Sequence, residues 1–213
     1  MKLCDIIPIV ALCGTVAAES HDRRPLSYAP KPAGQYIVPK PEGTESLLDF
    51  IRSRSDLSVL AEVIANSSGF TEAFDTIPTW DYTFFAPSNA AFNNTGQYFK
   101  TFSVTPKGKF WLGNVLQHHY VPNTKLNTTT FNSTYTRFQT GTYLFVGAQT
   151  VGDNVVLNKA STINEGNLPV TKGIVHIIDR ILDPSAMIFE ADILWTTQKF
   201  IAGSCSNPNL AYC

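Results

Sequence analysis

The sequence predicts an α+β fold, and two observations carry that reading. Apolar residues recur at helical spacing in the first part of the chain, then switch to β-rich runs separated by turn residues. The two kinds of segment are also gathered rather than alternated, which argues against parallel βαβ units.

Each element follows from its own pattern. Within 44–53, Leu47, Leu48 and Ile51 share a helical face; Leu57, Leu60, Ala61 and Ile64 repeat that spacing until Gly69 ends the run. Two short helices are expected there. The run Tyr82-Thr-Phe-Phe-Ala is a strand that stops at Pro87, where Ser88 is placed to cap a turn over 89–92. Positions 107–117 read as a helix whose buried side is Phe110, Leu112, Val115 and Leu116. From 119 to 181 the chain reads as strands. Tyr143-Leu-Phe-Val and Asn154-Val-Val-Leu flank Gly152-Asp153 as a hairpin, and Ile174-Val-His-Ile-Ile is too β-branched for an isolated helix. After Pro184, positions 187–200 form a further amphipathic stretch able to pack back on the domain.

Composition sets the class. At 213 residues, 44% hydrophobic and 12% aromatic, the chain can bury a real core. Sixteen Lys and Arg stand against 17 Asp and Glu, for a net charge of -1, so no basic field invites nucleic acid. Charged residues make up 15%, against roughly 25% in ordinary soluble domains. Something besides side-chain charge must keep the surface hydrated.

The ends of the chain suggest what that is. Lys2 precedes an apolar run from Ile6 to Val16, and Val16-Ala17-Ala18 places small residues at a cleavage position, so 1–18 read as a signal peptide. A membrane anchor needs about 20 apolar residues, more than Asp5 and the polar run after Ala18 leave. No membrane span is expected in the mature chain, which is read as secreted, with a vacuolar lumen as the alternative. Residues 19–43 form a proline-rich leader, 44–184 the folded domain and 185–213 a tail. Removing the signal leaves Cys205 and Cys213, a pair suited to a small terminal disulfide in an oxidising compartment. Four Asn-x-Ser/Thr sequons, at Asn66, Asn93, Asn127 and Asn132, are expected glycosylation sites and a source of solubility.

A search for chemistry returns few candidates. The chain contains no Gly-x-Ser-x-Gly elbow, zinc-helix motif, phosphate loop or dinucleotide fingerprint, so no catalytic residue, cofactor or metal ligand is assigned. His118 and His119, read as neighbours on a strand, would point to opposite faces and not share one metal. His176, between Val175 and Ile177, reads as a buried imidazole bonded to backbone.

Three separated segments resemble the fasciclin domain family. Thr83-Phe-Phe-Ala-Pro-Ser-Asn-Ala-Ala-Phe92 is similar to its first signature and Gly173-Ile-Val-His-Ile-Ile-Asp-Arg-Ile-Leu182 to its second, with Leu116-Gln-His-His-Tyr-Val-Pro122 resembling its tyrosine-histidine segment. The resemblance implies a wedge of two β-sheets packed with several short helices, extracellular and used in adhesion, without catalytic residues. Some members bind integrins through an Asp-Ile pair before the second signature. Here Asn167-Leu168 stands at that place, and His118 replaces the tyrosine while His119 matches the family histidine.

Two functions follow. The first is a non-catalytic interaction module contacting cell-wall, matrix or protein partners. The second, suggested by similarity to secreted fungal members, is an accessory to an extracellular oxidase such as a laccase in polyketide pigment or secondary-metabolite biosynthesis. An aromatic metabolite would then be held by Tyr120, Phe138, Tyr143 or Trp195. Beside these two stands a catalytic use of His119 or His176.

Overall fold

The computed structural model describes residues 38–184 and the pair 194–195. The signal segment, Cys205, Cys213 and most of 187–200 lie outside the described residues.

The helices begin where capping chemistry allows. Ser46 accepts the Asp49 N–H, and Asp49 in turn accepts the Ser46 N–H at 3.0 Å, a reciprocal cap that starts α1 (Leu47–Ser53). α2 (Ser58–Ala65) follows a short 3-10 turn, and together these are the two helices expected. The chain then departs from expectation. Gly69, at φ +81°, does not end the helical segment but opens α3 (Phe70–Asp75), whose Phe74 is buried. Ser88 caps α4 (Asn89–Asn93) as anticipated, through the Ala91 N–H. An unanticipated α5 (Gln97–Ser103) precedes α6 (Pro106–His118), which Thr105 caps and Pro106 starts.

Two details of α6 need correction. Its inner face is Gly108, Leu112, Val115 and Leu116, which leaves Phe110 on the opposite side and 78% exposed. His118 is the last helical residue and His119 the C-cap, so the helix runs further than read. Both imidazoles are buried, rather than alternating across a strand.

Among the described residues, eight strands follow one order, β2-β1-β7-β6-β5-β4-β3-β8. They are β1 (Tyr82–Pro87), β2 (Tyr120–Pro122), β3 (Thr136–Gln139), β4 (Phe145–Val151), β5 (Asn154–Leu157), β6 (Ser161–Val170), β7 (Gly173–Ile178) and β8 (Leu194–Trp195). The expected hairpin turns at Gly152-Asp153, but its first strand begins at Phe145, so Tyr143 and Leu144 belong to the preceding turn. The long β6 joins two sheet halves. Its start pairs with β5 and its remainder with β7, across register shifts between Ile163 and Glu165 and between Glu165 and Leu168.

The parallel pair β1 and β7, flanked by β2 and β6, forms the centre of one sheet half and is buried on both faces. Alternation along them divides the interior in two. Tyr82, Phe84, Ala86, Val175 and Ile177 join the helices in one core, whereas Phe85 and Ile178 join Val121, Phe138, Val146 and Leu157 in the other. Both strands are therefore apolar at nearly every position, and each fully buried phenylalanine contributes about 1.5–3 kcal/mol.

Candidate functional site

Three histidines lie among the described residues, and two of them are bonded wholly to main chain. His119 donates from Nδ1 to the Val115 carbonyl at 2.6 Å and accepts the Leu182 N–H at Nε2 at 2.9 Å. His176 donates from Nε2 to the Leu126 carbonyl at 2.7 Å and accepts the Asn167 N–H at Nδ1 at 3.2 Å. Each ring thus has its tautomer set by two bonds to main chain. Burial holds the pKa of His119 down to about 3 and that of His176 to about 4, so both stay neutral. These imidazoles are struts.

His118 has a different setting. Its Nδ1 lies 3.0 Å from both Thr140 Oγ1 and Thr142 Oγ1, while burial lowers its pKa to about 4 against the opposing pull of Asp183. Among the described residues, no group of three or more His, Cys, Asp or Glu is placed to hold a metal ion. His118 is thus bound into the turn between β3 and β4.

Asn167-Leu168 lies within the second register shift of β6. Asn167 takes φ +63°, accepts the Thr128 N–H at 2.9 Å and donates to Thr128 Oγ1 at 2.6 Å. Its side chain thus clamps β6 to the 3-10 turn Thr128–Thr130. Sequence reasoning did not see this clamp. The sole signal was an Asn, which tolerates a left-handed backbone better than most residues.

The three aromatic candidates whose side chains are described, Tyr120, Phe138 and Tyr143, do not come together. Phe138 is buried in the second core, Tyr143 is 80% exposed on the β3–β4 turn, and the side chain of Trp195 lies outside the described residues. Tyr120 lines a cavity. That cavity, about 260 Å³, is walled by rings from separate elements: Phe70 and Phe74 of α3, Trp80 of the following loop, Tyr82 of β1 and Tyr120 of β2. Tyr82 and Tyr120 stack with centroids 5.1 Å apart, and Phe74 stacks on Tyr120 at 6.4 Å. Trp80 Nε1 donates to the Tyr120 hydroxyl at 2.8 Å. Burial pushes the Tyr120 phenol up to about 12 and raises Tyr82 as well, so both remain protonated.

The turn beside this cavity carries the most exposed ring among the described residues. Tyr143 holds φ +64° with its N–H on the Thr140 carbonyl, and Leu144 is also exposed. A left-handed tyrosine is strained by about 1–2 kcal/mol. All four sequon asparagines are exposed. No helix among the described residues is long and apolar enough to cross a membrane.

The solved structure of a FAS1 domain pair from the insect cell adhesion molecule fasciclin I matches with a TM-score of 0.57 at 16% identity. The match covers 71% of this chain and 53% of that one, so this chain spans about half of the two-domain structure, and the likeness is one of fold. Among curated proteins no match to the sequence is found. A family profile described as the fasciclin domain matches residues 55–184, which include both signature-like segments and the histidine segment between them. The chain belongs to the fasciclin domain family, a family of cell-adhesion-type modules.

Proposed function

We propose that this chain is a secreted, non-catalytic adhesion module that contacts a cell-wall, matrix or protein partner. The observation that carries the reading is the β3–β4 turn, which holds Tyr143 and Leu144 out to solvent at the expense of backbone strain. Tyrosine is a preferred anchor in protein interfaces because its ring is large, rigid and amphipathic. His119 and His176, the residues nearest to a catalytic reading, have both ring nitrogens engaged by main chain. Under this reading residues 1–18 are removed on secretion, the sequons carry N-glycans and Cys205 pairs with Cys213. Delivery to a vacuolar lumen would begin with the same signal. A pull-down of the purified chain on cell-wall and matrix fractions tests the module, and undiminished capture by a Tyr143→Ser/Leu144→Ser variant would remove the turn from the account.

The aromatic cavity favours a second reading, an accessory that holds an aromatic intermediate for an extracellular oxidase in pigment or secondary-metabolite biosynthesis. Deletion followed by metabolite profiling addresses it; an unchanged pigment profile counts against it.

A further inference from the structure

We propose that the cavity between α3, the loop to β1, and strands β1 and β2 binds a flat fused-ring aromatic of about two rings bearing a phenolic hydroxyl. The proposal deepens the second reading, but it needs only that reading's premise that an aromatic is held, not the pathway.

Size sets the first limit. Drug-sized ligands occupy sites of ~300–1000 Å³, and this cavity of about 260 Å³ falls just below them, which suits a bicyclic molecule. Wall chemistry sets the second. Phe70, Phe74, Trp80, Tyr82 and Tyr120 surround the space, and ring faces and edges are the surfaces against which another ring packs best. A peptide segment would bring a backbone N–H and C=O with every residue, and this dominantly apolar wall has few partners for them. A flat ring brings no such demand.

Hydrogen bonding sets the third. The Tyr120 hydroxyl already accepts from Trp80, which leaves its own hydrogen to donate to a ligand oxygen. Burial keeps that phenol protonated at all physiological pH values. Gln117, exposed near the end of α6, also lines the cavity and adds an amide. One hydroxyl on an otherwise apolar ligand is thus matched by the few polar groups of a dominantly apolar wall. The stacked Tyr82 and Tyr120 pair gives the pocket a preformed wall, because both rings are held by the pairing of β1 with β2.

Calorimetric titration of the purified chain with 2-naphthol tests the proposal. Saturable one-site binding is expected. Ala73→Trp alters an exposed position of α3 that borders the cavity, so it should fill the space without disturbing the fold and weaken binding at least about tenfold. Tyr120→Phe should weaken 2-naphthol about three- to tenfold while leaving unsubstituted naphthalene within about twofold. The proposal is overturned by any of three results: no saturation up to about 1 mM, wild-type affinity in Ala73→Trp, or equal affinity for the saturated analogue 2-decalol. Equal loss of naphthol and naphthalene in Tyr120→Phe would overturn recognition of the hydroxyl. Intact naphthol binding alongside an unchanged pigment profile would instead remove the pathway and keep the site.

Discussion

His119 Nε2 accepts the Leu182 N–H at 2.9 Å across 63 residues of sequence. The bond joins the C-terminal cap of α6 to the segment that follows the central strand β7, and both partners are buried. Because Nδ1 of the same ring is bonded to the Val115 carbonyl, one imidazole closes the helix end and holds the last turn of the domain.

Truncating this strut should be expensive. His119→Ala leaves a buried N–H without its acceptor and opens a cavity, for a loss of about 2–5 kcal/mol. Urea unfolding measures it, and a midpoint equal to wild type would show that the ring is not a strut.

Stability should fall as the solution is acidified from neutrality. The folded pKa values of His118, His119 and His176 lie at about 4, 3 and 4, below the ordinary 6.5. The unfolded chain therefore binds more protons, and stability is full above about pH 6.5 and declines toward pH 3–4. The slope is up to about 1.4 kcal/mol per pH unit for each imidazole. Unfolding midpoints measured from pH 7.5 to 4 check the sign; a flat profile would contradict it.

Gly166 faces the Asn167 clamp. A Cβ there would lie 2.6 Å from Thr128 Cγ2 and 3.1 Å from His176 Nδ1. Gly166→Ala should cost about 1–3 kcal/mol. Adding Thr128→Ser removes the nearer methyl while keeping the hydroxyl that Asn167 uses, so part of the loss should return in a thermal melt of the double variant.

Tyr143 should separate stability from binding. Tyr143→Asn suits the left-handed backbone better, so the fold should be unchanged or gain up to about 1 kcal/mol. Partner capture should drop in the same protein. A large loss of stability would mean that the ring is part of the packing.

Glycosylation can be read site by site. Asn66 and Asn93 border one groove of about 490 Å³ floored by Phe92, Phe99 and Leu112, while Asn127 and Asn132 flank the turn that Thr128 starts. Asn132 accepts the Thr134 N–H at 2.8 Å through its oxygen, which leaves its nitrogen for a sugar. Enzymatic removal of N-glycans should lower the mass of the secreted chain, and Asn→Gln at each site should subtract one glycan. A bare polypeptide mass from native material would refute the account of the low charge fraction.

Much of the frame was legible because its causes are local. The period change near Tyr82, the Ser88 cap and the β-branched run of β7 are properties of a few adjacent residues, and His176 between two apolar neighbours already read as buried. α3 was missed because its six residues are too few for periodicity, and packing of Phe74 supports what propensity does not. The orientation of Phe110 was misread because a helix of mixed composition has several plausible apolar faces. Tertiary contacts choose among them.

Sequence alone determined the α+β class, the central strands, the family resemblance and the four sequons, because each depends on residue type and near neighbours. Only tertiary structure decided that His118 and His119 are buried, that Asn167 clamps β6 to Thr128, and that five rings spread between Phe70 and Tyr120 enclose one cavity. Those facts depend on which distant segments the two sheet halves bring together, and no local pattern carries that information.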